Sequence, residues 1–197
     1  MWQEALSEVK QMSREHSAKK LWEPYKVSIL LNLGRYDEAA NLAESSASCQ
    51  NSPVRAVALA YIGREERAIR LAKESVSSRR DRAELALGKV CEISGRLEEA
   101  LLHYERAAGR FQMRSDGMRN AARMLMKLED YSEALVAWQQ AIRLAKLVRV
   151  EDLEQLATCF RKLGNEAAAI EAEDLATEYR ERDRKKSEDL AQLAAAE

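Results

Sequence analysis

The stretch that decides the fold is SGRLEEAL, Ser94–Leu101, because the same pattern returns at four other places in the chain. The other copies are LGRYDEAA at Leu33–Ala40, IGREERAI at Ile62–Ile69, LEDYSEAL at Leu128–Leu135 and LGNEAAAI at Leu163–Ile170. Counted from Ala5, the shared alanine recurs at spacings of 34, 29, 32, 34 and 35 residues. A period of this length is typical of stacked-repeat proteins, in which each unit buries its apolar face against its neighbours.

The composition is typical of an all-helical protein. The chain has 197 residues, of which seven are glycine and two are proline, and charged residues make up 33%. Alanine, leucine, glutamate and arginine, which favour helices, are abundant in the sequence. A stack of five units of roughly 34 residues, with flanking helix, accounts for the length.

Charge and hydropathy argue against several classes of protein. The 32 basic and 33 acidic residues nearly cancel, whereas general nucleic-acid binders carry a broad positive field. No stretch reaches the roughly 20 apolar residues of a membrane-spanning helix, so no membrane insertion is expected. The amino terminus, MWQEALSEVKQM, lacks the basic and apolar regions of a secretory signal. We therefore expect a cytoplasmic protein that binds no nucleic acid.

The cysteines and histidines predict no metal site. Cys49, Cys91 and Cys159 are odd in number and far apart, which favours free thiols in a reducing compartment. No paired-cysteine spacing occurs, and the two histidines are His16 and His103. Both histidines are interpreted as surface or packing residues. Because no glycine-rich phosphate loop or catalytic constellation accompanies them, the chain is predicted to be no enzyme and to hold no cofactor.

Residues 81–114 show how one repeat is expected to fold. Asp81 caps a first helix that ends near Ile93, and Gly95 provides the left-handed backbone that ends a helix. A second helix begins at Leu97, with apolar residues at three- and four-residue spacing. The two helices then form an antiparallel pair.

Small side chains are predicted where the two helices cross. Gly88 on the first helix and Ala100 on the second would let the backbones approach closely, and Tyr104 would fill the space beside that contact.

These features resemble the tetratricopeptide-repeat (TPR) family over roughly residues 20–178. That family has small residues at the eighth and twentieth places, a large or aromatic residue at the twenty-fourth and alanine at the twenty-seventh. The matching residues are Gly34, Tyr36 and Ala39 in repeat one, Gly88, Ala100, Tyr104 and Ala107 in repeat three, Ala122, Tyr131, Ala134, Trp138 and Ala141 in repeat four, and Ala157, Ala169 and Ala176 in repeat five. The resemblance implies an all-α, right-handed superhelical array of antiparallel helical hairpins, an α-solenoid.

Three repeats depart from the family pattern. Val27 and Ala43 stand at the eighth and twenty-fourth places of repeat one, and Glu173 takes the large residue's place in repeat five. Repeat two has a short first helix behind a serine-rich connection, Ser45–Ser52, which is expected to be the most flexible point. An irregular hairpin array of another repeat family is the alternative fold.

The predicted organisation is one solenoid over residues 1–178 followed by a polar helix. Its parts are 1–19 as a half-repeat or cap, the repeats 20–48, 49–80, 81–114, 115–149 and 150–178, and the capping helix 179–197. The half-repeat occupies the place of a second helix, so Trp2 and Leu6 would be exposed if nothing covers them.

In stacked hairpins of this family the first helices line a concave groove where a bound segment usually lies. Tyr25 and Tyr61 are expected on an apolar part of that groove. A basic part is expected from Arg82, Lys89, Arg119, Asn120, Arg123, Lys127, Arg161 and Lys162. We interpret the groove as a site for a segment of another protein whose acidic portion meets Arg119, Arg123 and Lys127. The alternative is an ordinary solvated face with helix-spaced charges.

The leading functional prediction is a non-catalytic scaffold or adaptor that binds a partner protein within a larger complex. A chaperone or co-chaperone that holds a client protein is one alternative. A self-associating structural subunit, a homo-oligomer, is the other, suggested by the half-repeat at the amino terminus.

Overall fold

The computed structural model of the chain describes residues 2–15, 22–50, 52–75, 80–110 and 113–195, and the regular structure within these ranges is helical. The α-helices are α1 (Trp2–Glu15), α2 (Glu23–Asn32), α3 (Tyr36–Ser45), α4 (Pro53–Tyr61), α5 (Glu65–Glu74), α6 (Arg80–Ile93), α7 (Leu97–Ala108), α8 (Arg114–Lys127), α9 (Tyr131–Leu144), α10 (Val150–Lys162) and α11 (Glu166–Ala195). A 3-10 turn at Ala47–Cys49 lies between α3 and α4. Asp81 was predicted to cap this helix from the position before it. Since α6 begins at Arg80, Asp81 lies instead in the first turn of the helix.

From α2 onward, consecutive helices pair into five helical hairpins. Hairpin one is α2 with α3, hairpin two α4 with α5, hairpin three α6 with α7, hairpin four α8 with α9, and hairpin five α10 with α11. The first helix of each hairpin is therefore the even-numbered one. Helix α1 packs against α2, before hairpin one.

The same tight turn joins the two helices of every hairpin. In hairpin three, the N–H of Gly95 donates to the carbonyl of Glu92 at 3.1 Å, and that of Arg96 donates to Cys91 at 2.9 Å. The equivalent pair of bonds ends α2, α4, α8 and α10. This termination needs a residue with left-handed backbone, which is glycine in four hairpins and Glu129 in hairpin four.

Small residues set the distance between paired helices. The alanines of the recurring pattern are fully buried: Ala39, Ala68, Ala100, Ala134 and Ala169. A Cβ added to Gly88 would lie 2.6 Å from Cε1 of Tyr104, which is itself buried. The predicted crossing of α6 and α7 at Gly88, with Tyr104 beside it, is confirmed.

The chain divides into two compact units, Met1–Gln112 and Met113–Glu197. The first unit contains α1–α7 and the second contains α8–α11. The division falls within two residues of the predicted boundary between repeats three and four.

In the first unit, α1 is part of the core. Leu6 is buried with Val27 and Leu30 of α2, so residues of its own chain provide the cover without which it was expected to be exposed. Trp2 does remain exposed. Ala5 and Val9 of α1 pack against the same core.

The serine-rich connection of the first unit is held in place over its first half. The hydroxyls of Ser46 and Ser48 both donate to a carboxylate oxygen of Glu23, at 2.5 and 2.9 Å. Ser46 is buried as well. These contacts tie the connection to the start of α2, which the prediction of flexibility did not anticipate.

In the second unit, α11 continues without a break from Glu166 to Ala195. The predicted cap at 179–197 is therefore, as far as Ala195, an extension of the second helix of hairpin five. Neither α11 nor any other described helix combines the length and the apolar character needed to cross a membrane.

Candidate functional site

The predicted aromatic residues of the first unit lie in two separate pairs. Tyr25, in the first turn of α2, is 62% exposed, and its ring centroid is 5.8 Å from that of Trp22. Tyr61, the last residue of α4, stacks on Tyr36 with ring centroids 4.4 Å apart. Because the start of α2 and the end of α4 lie at opposite ends of neighbouring helices, the structure does not bring Tyr25 and Tyr61 together.

The basic residues predicted in hairpin three differ in their surroundings. Arg82 is exposed. Lys89 Nζ lies 3.1 Å from Oε2 of Glu92, and the Tyr104 hydroxyl donates to the same oxygen at 3.0 Å. Lys89 therefore compensates the charge of a carboxylate in its own helix.

In the second unit, Arg119 is a buried structural residue. It is 8% exposed, and its Nε donates to both carboxylate oxygens of Asp152, at 2.8 and 2.9 Å. Its Nη1 donates to Asp116 at 2.8 Å, and the Asn120 amide donates to the Asp116 carbonyl at 2.9 Å. The predicted two-point contact with a carboxylate exists, but the carboxylate belongs to the chain itself.

This geometry argues against ligand binding by Arg119. Asp152 is 2% exposed, so moving Arg119 toward a partner would leave a buried charge without compensation. The ion pair instead links α8 to α10, the first helices of hairpins four and five.

Arg161 and Lys162 also contact side chains within the second unit. Arg161 donates to both carboxylate oxygens of Glu173 at 3.0 Å and to Glu166 at 3.3 Å. These bonds hold the pKa of Glu173 below its usual value of 4.5 and raise the pKa of Arg161. Lys162 Nζ lies 5.6 Å from the centre of the Tyr131 ring.

The Arg161–Glu173 pair explains why repeat five lacks a large residue at its twenty-fourth place. In hairpins three and four the residue at that place contacts the twelfth place of the same repeat. Tyr104 donates to Glu92, and Trp138 Nε1 donates to Met126 Sδ at 3.2 Å. In hairpin five, two charged residues make the corresponding contact.

Sequence reasoning noticed Glu173 but missed its partner. The signal was available, because the contacting residues are 12 positions apart in all three hairpins.

Arg123 and Lys127 lie four residues apart on α8. Arg123 is half-buried and Lys127 is exposed, and both make contacts within the chain.

No catalytic arrangement emerges from the part of the chain that is described. His103 Nδ1 lies 2.7 Å from Oε2 of Glu84, which joins α7 to α6, while His16 lies outside the described residues. Within the described ranges no group of three or more His, Cys, Asp or Glu side chains is placed to hold a metal ion.

The cysteines are free and buried thiols. Burial raises the pKa of Cys159 to about 11 and also raises the pKa of Cys91. Both therefore stay protonated near neutral pH, whereas the thiolate is the nucleophilic form.

Comparison with known proteins rests on structure. No family model and no curated protein matches the chain. MamA from Desulfovibrio magneticus RS-1 has 17% identity and a TM-score of 0.59, over 83% of this chain and 96% of that one. PilW, a widely conserved type IV pilus biogenesis factor, has 15% identity and a TM-score of 0.63, over 88% and 84%. A Podosopora anserina protein of nearly identical TPR-like repeats has 17% identity and a TM-score of 0.60, over 86% and 98%.

At these identities the likeness concerns the fold. It confirms the all-α array of helical hairpins that the spacing of the alanines predicts.

Proposed function

We propose that this tetratricopeptide-like array is a non-catalytic scaffold that holds a segment of another protein against its first helices, within a multi-protein assembly of the cytoplasm. Stacked hairpins offer an extended binding surface, because each hairpin leaves part of its first helix uncovered. Free, buried thiols fit a reducing compartment.

The exposure of Tyr25 is the observation that carries the proposal. Tyr25 is 62% exposed on a helix whose Val27, Ile29 and Leu30 are buried, so it leaves apolar area available to a partner. The Trp22 ring lies beside it, tilted by 48°. Rigid aromatic side chains are the residues that most often dominate binding free energy at protein interfaces.

The proposed site is smaller than the groove predicted from sequence. In the first unit it comprises Trp22, Tyr25 and, along the first helices, Arg82. Lys89, Arg119 and Arg161 are omitted, since their charges are compensated by Glu92, Asp152 and Glu173.

Tyr25→Ser tests this proposal, with Leu102→Ser as the matched control. Leu102 is 46% exposed on α7, a second helix of the same unit, so its removal takes away apolar surface from another face. Both variants should unfold at the temperature of the wild type, because neither side chain is buried. A photo-crosslinking phenylalanine analogue at each position would then report what approaches it in the cells that make the protein.

We expect the same partner to crosslink to position 25 but not to position 102, and to co-purify with the wild type and with Leu102→Ser. Tyr25→Ser should lose most of that partner. Equal crosslinking at both positions, or full retention of the partner by Tyr25→Ser, contradicts the proposal.

A further inference from the structure

The connection between α9 and α10, residues 145–149, presents an unusual apolar side chain to solvent. Leu147 is 82% exposed, more than any other large apolar side chain that the structure describes. Leu144, at the end of α9, is exposed as well. Leu147 follows Leu144 at helical spacing but lies beyond the end of α9, so the spacing alone does not reveal that it is exposed.

Both ends of the connection lie beside the start of α8. The Ser115 hydroxyl donates to the carbonyl of Ala141 at 3.1 Å, in the last turn of α9. At the other end, Arg149 Nη2 lies 3.8 Å from Asp116. Leu147 lies between these two contacts.

Basic residues surround the two leucines. The stretch RLAKLVRV, Arg143–Val150, has three cations and no acid. Arg143, Lys146, Arg149 and, at the start of α8, Arg114 are all exposed. The acids that follow this stretch are the exposed Glu151 and the buried Asp152, which pairs with Arg119, while Asp116 of α8 contacts Arg119 and Arg149. Exposed cations outnumber exposed acids here, so the surface favours a negatively charged partner.

Two negatively charged surfaces fit leucine among cations: an anionic bilayer and an acidic protein segment. The path of α11 favours the segment. Arg180 of α11 pairs with Glu154 in the second turn of α10, and α11 then continues for fifteen residues to Ala195. That extension measures about 22 Å, whereas only four residues of α10 precede Glu154. A flat bilayer that approaches this end of the hairpin meets α11 first, while a single segment can reach Leu147.

We propose that the α9–α10 connection is a docking surface for an acidic, amphipathic segment of another protein. Leu147 is its apolar anchor, and Arg143 and Lys146 meet the carboxylates of the segment. This surface belongs to the second unit and shares no residue with the site around Tyr25, so either proposal can fail without the other.

Fluorescence anisotropy with the full chain tests the proposal. The probes are two labelled peptides of equal length with leucine at every third or fourth position, one with glutamate and the other with lysine between the leucines. The variants are Leu147→Ser and the pair Arg143→Glu with Lys146→Glu. The controls are Leu102→Ser and Ile170→Ser, which remove exposed apolar side chains elsewhere.

We expect the glutamate peptide to bind and the lysine peptide not to bind. Leu147→Ser should weaken binding about tenfold, because a buried leucine contributes at least that factor. Charge reversal should abolish binding, added salt should weaken it, and the controls should leave it unchanged. Matching thermal unfolding of all variants shows that the fold is intact, as the exposure of these side chains predicts.

Failure of the glutamate peptide to bind, or equal binding by Leu147→Ser, overturns the proposal. Two further measurements identify other occupants. Sedimentation with phosphatidylcholine–phosphatidylserine vesicles that depends on Leu147, without peptide binding, assigns the surface to lipid. A concentration-dependent mass that Leu147→Ser abolishes assigns it to a second copy of the chain.

Discussion

At the scale of single residues, one left-handed backbone position shapes each hairpin turn. Gly34, Gly63, Gly95 and Gly164 have φ between 71° and 79°. Glu129 occupies the same place in hairpin four with φ 62°, although this conformation costs an L-residue with a side chain about 1–2 kcal/mol. Hairpin four therefore keeps a small strain at its turn.

Glu129→Gly should make the protein more stable. Relief of the left-handed strain contributes about 1 kcal/mol, reduced by the larger entropy that glycine loses on folding. Urea unfolding measures the change. Gly95→Ala is the reciprocal variant and should lower stability by a similar amount. A loss of stability in Glu129→Gly would show that the Glu129 side chain stabilises the fold by more than its backbone strain costs.

Gly88→Ala should destabilise hairpin three by about 1–3 kcal/mol, the usual effect of overpacking a core. The added methyl group meets the Tyr104 ring at 2.6 Å, and that ring is held by its hydrogen bond to Glu92. Tyr104→Leu in the same chain should restore part of the loss, because a smaller side chain frees the space. A double-mutant cycle in urea measures this coupling; additive effects of the two changes would refute the predicted contact.

At the scale of elements, the second helices begin in two ways. The side chain of Asp130 accepts the N–H of Glu133 at 3.1 Å and caps α9, and Asn165 accepts the N–H of Ala168 at 3.2 Å in α11. The helices α3, α5 and α7 follow arginines, which cannot accept such a bond. Arg96 instead pairs with Glu99 and with Glu65 of the preceding hairpin. Arg64 likewise pairs with Glu44 of the preceding hairpin, whereas Arg35 pairs with Glu38 of its own helix.

Asp130→Asn should change how stability depends on pH. Hydrogen bonds from the Glu133 N–H and the Ser132 hydroxyl lower the pKa of Asp130 below its usual 3.8. The ionised cap therefore contributes fully above that value, and its contribution is lost as pH falls through the lower folded pKa. Asparagine keeps the acceptor but does not titrate. Urea midpoints at about pH 6 and pH 3 should show the advantage of the wild type shrinking at the lower pH; an advantage that stays constant argues against this cap.

Steric patterns in this sequence predict better than its charges. Gly88 has one structural meaning at a helix crossing, because any larger residue collides with Tyr104. A long cation such as Arg161 can reach several neighbours, and which acid it meets depends on packing that the sequence does not display. In the predicted basic groove, Arg119 and Arg161 therefore pair with Asp152 and Glu173 of the chain itself.

At the scale of the whole molecule, the chain has two units with separate spectroscopic reporters. Trp138 is buried in the second unit, and Trp2 and Trp22 belong to the first. In a stack of hairpins, stability is approximately a sum of local contributions and contacts between neighbours. A change in one hairpin should therefore be felt most strongly near that hairpin.

Asp152→Ala should destabilise the second unit, but by less than the roughly 3–5 kcal/mol of a fully uncompensated buried charge, because Asp116 still accepts from Arg119 Nη1 at 2.8 Å. In a background of Trp2→Phe and Trp22→Phe, the fluorescence of Trp138 should report a clearly lower urea midpoint. Arg119→Met with Asp152→Leu should recover much of the loss, since it removes both charges. An unchanged Trp138 transition in Asp152→Ala would show that the ion pair is not needed for folding.

The buried cysteines can serve as probes of local opening in the two units. Cys49 and Cys91 lie in the first unit and Cys159 in the second, each shielded from solvent and, for the latter two, with a raised pKa that disfavours thiolate. An alkylating reagent can modify such a sulfur only after the surrounding helices open. The labelling rate of each sulfur would then measure how often the helices around it open. A bound protein that stabilises one part of the stack should lower the labelling rate of the nearest cysteine and leave the rates of the others unchanged.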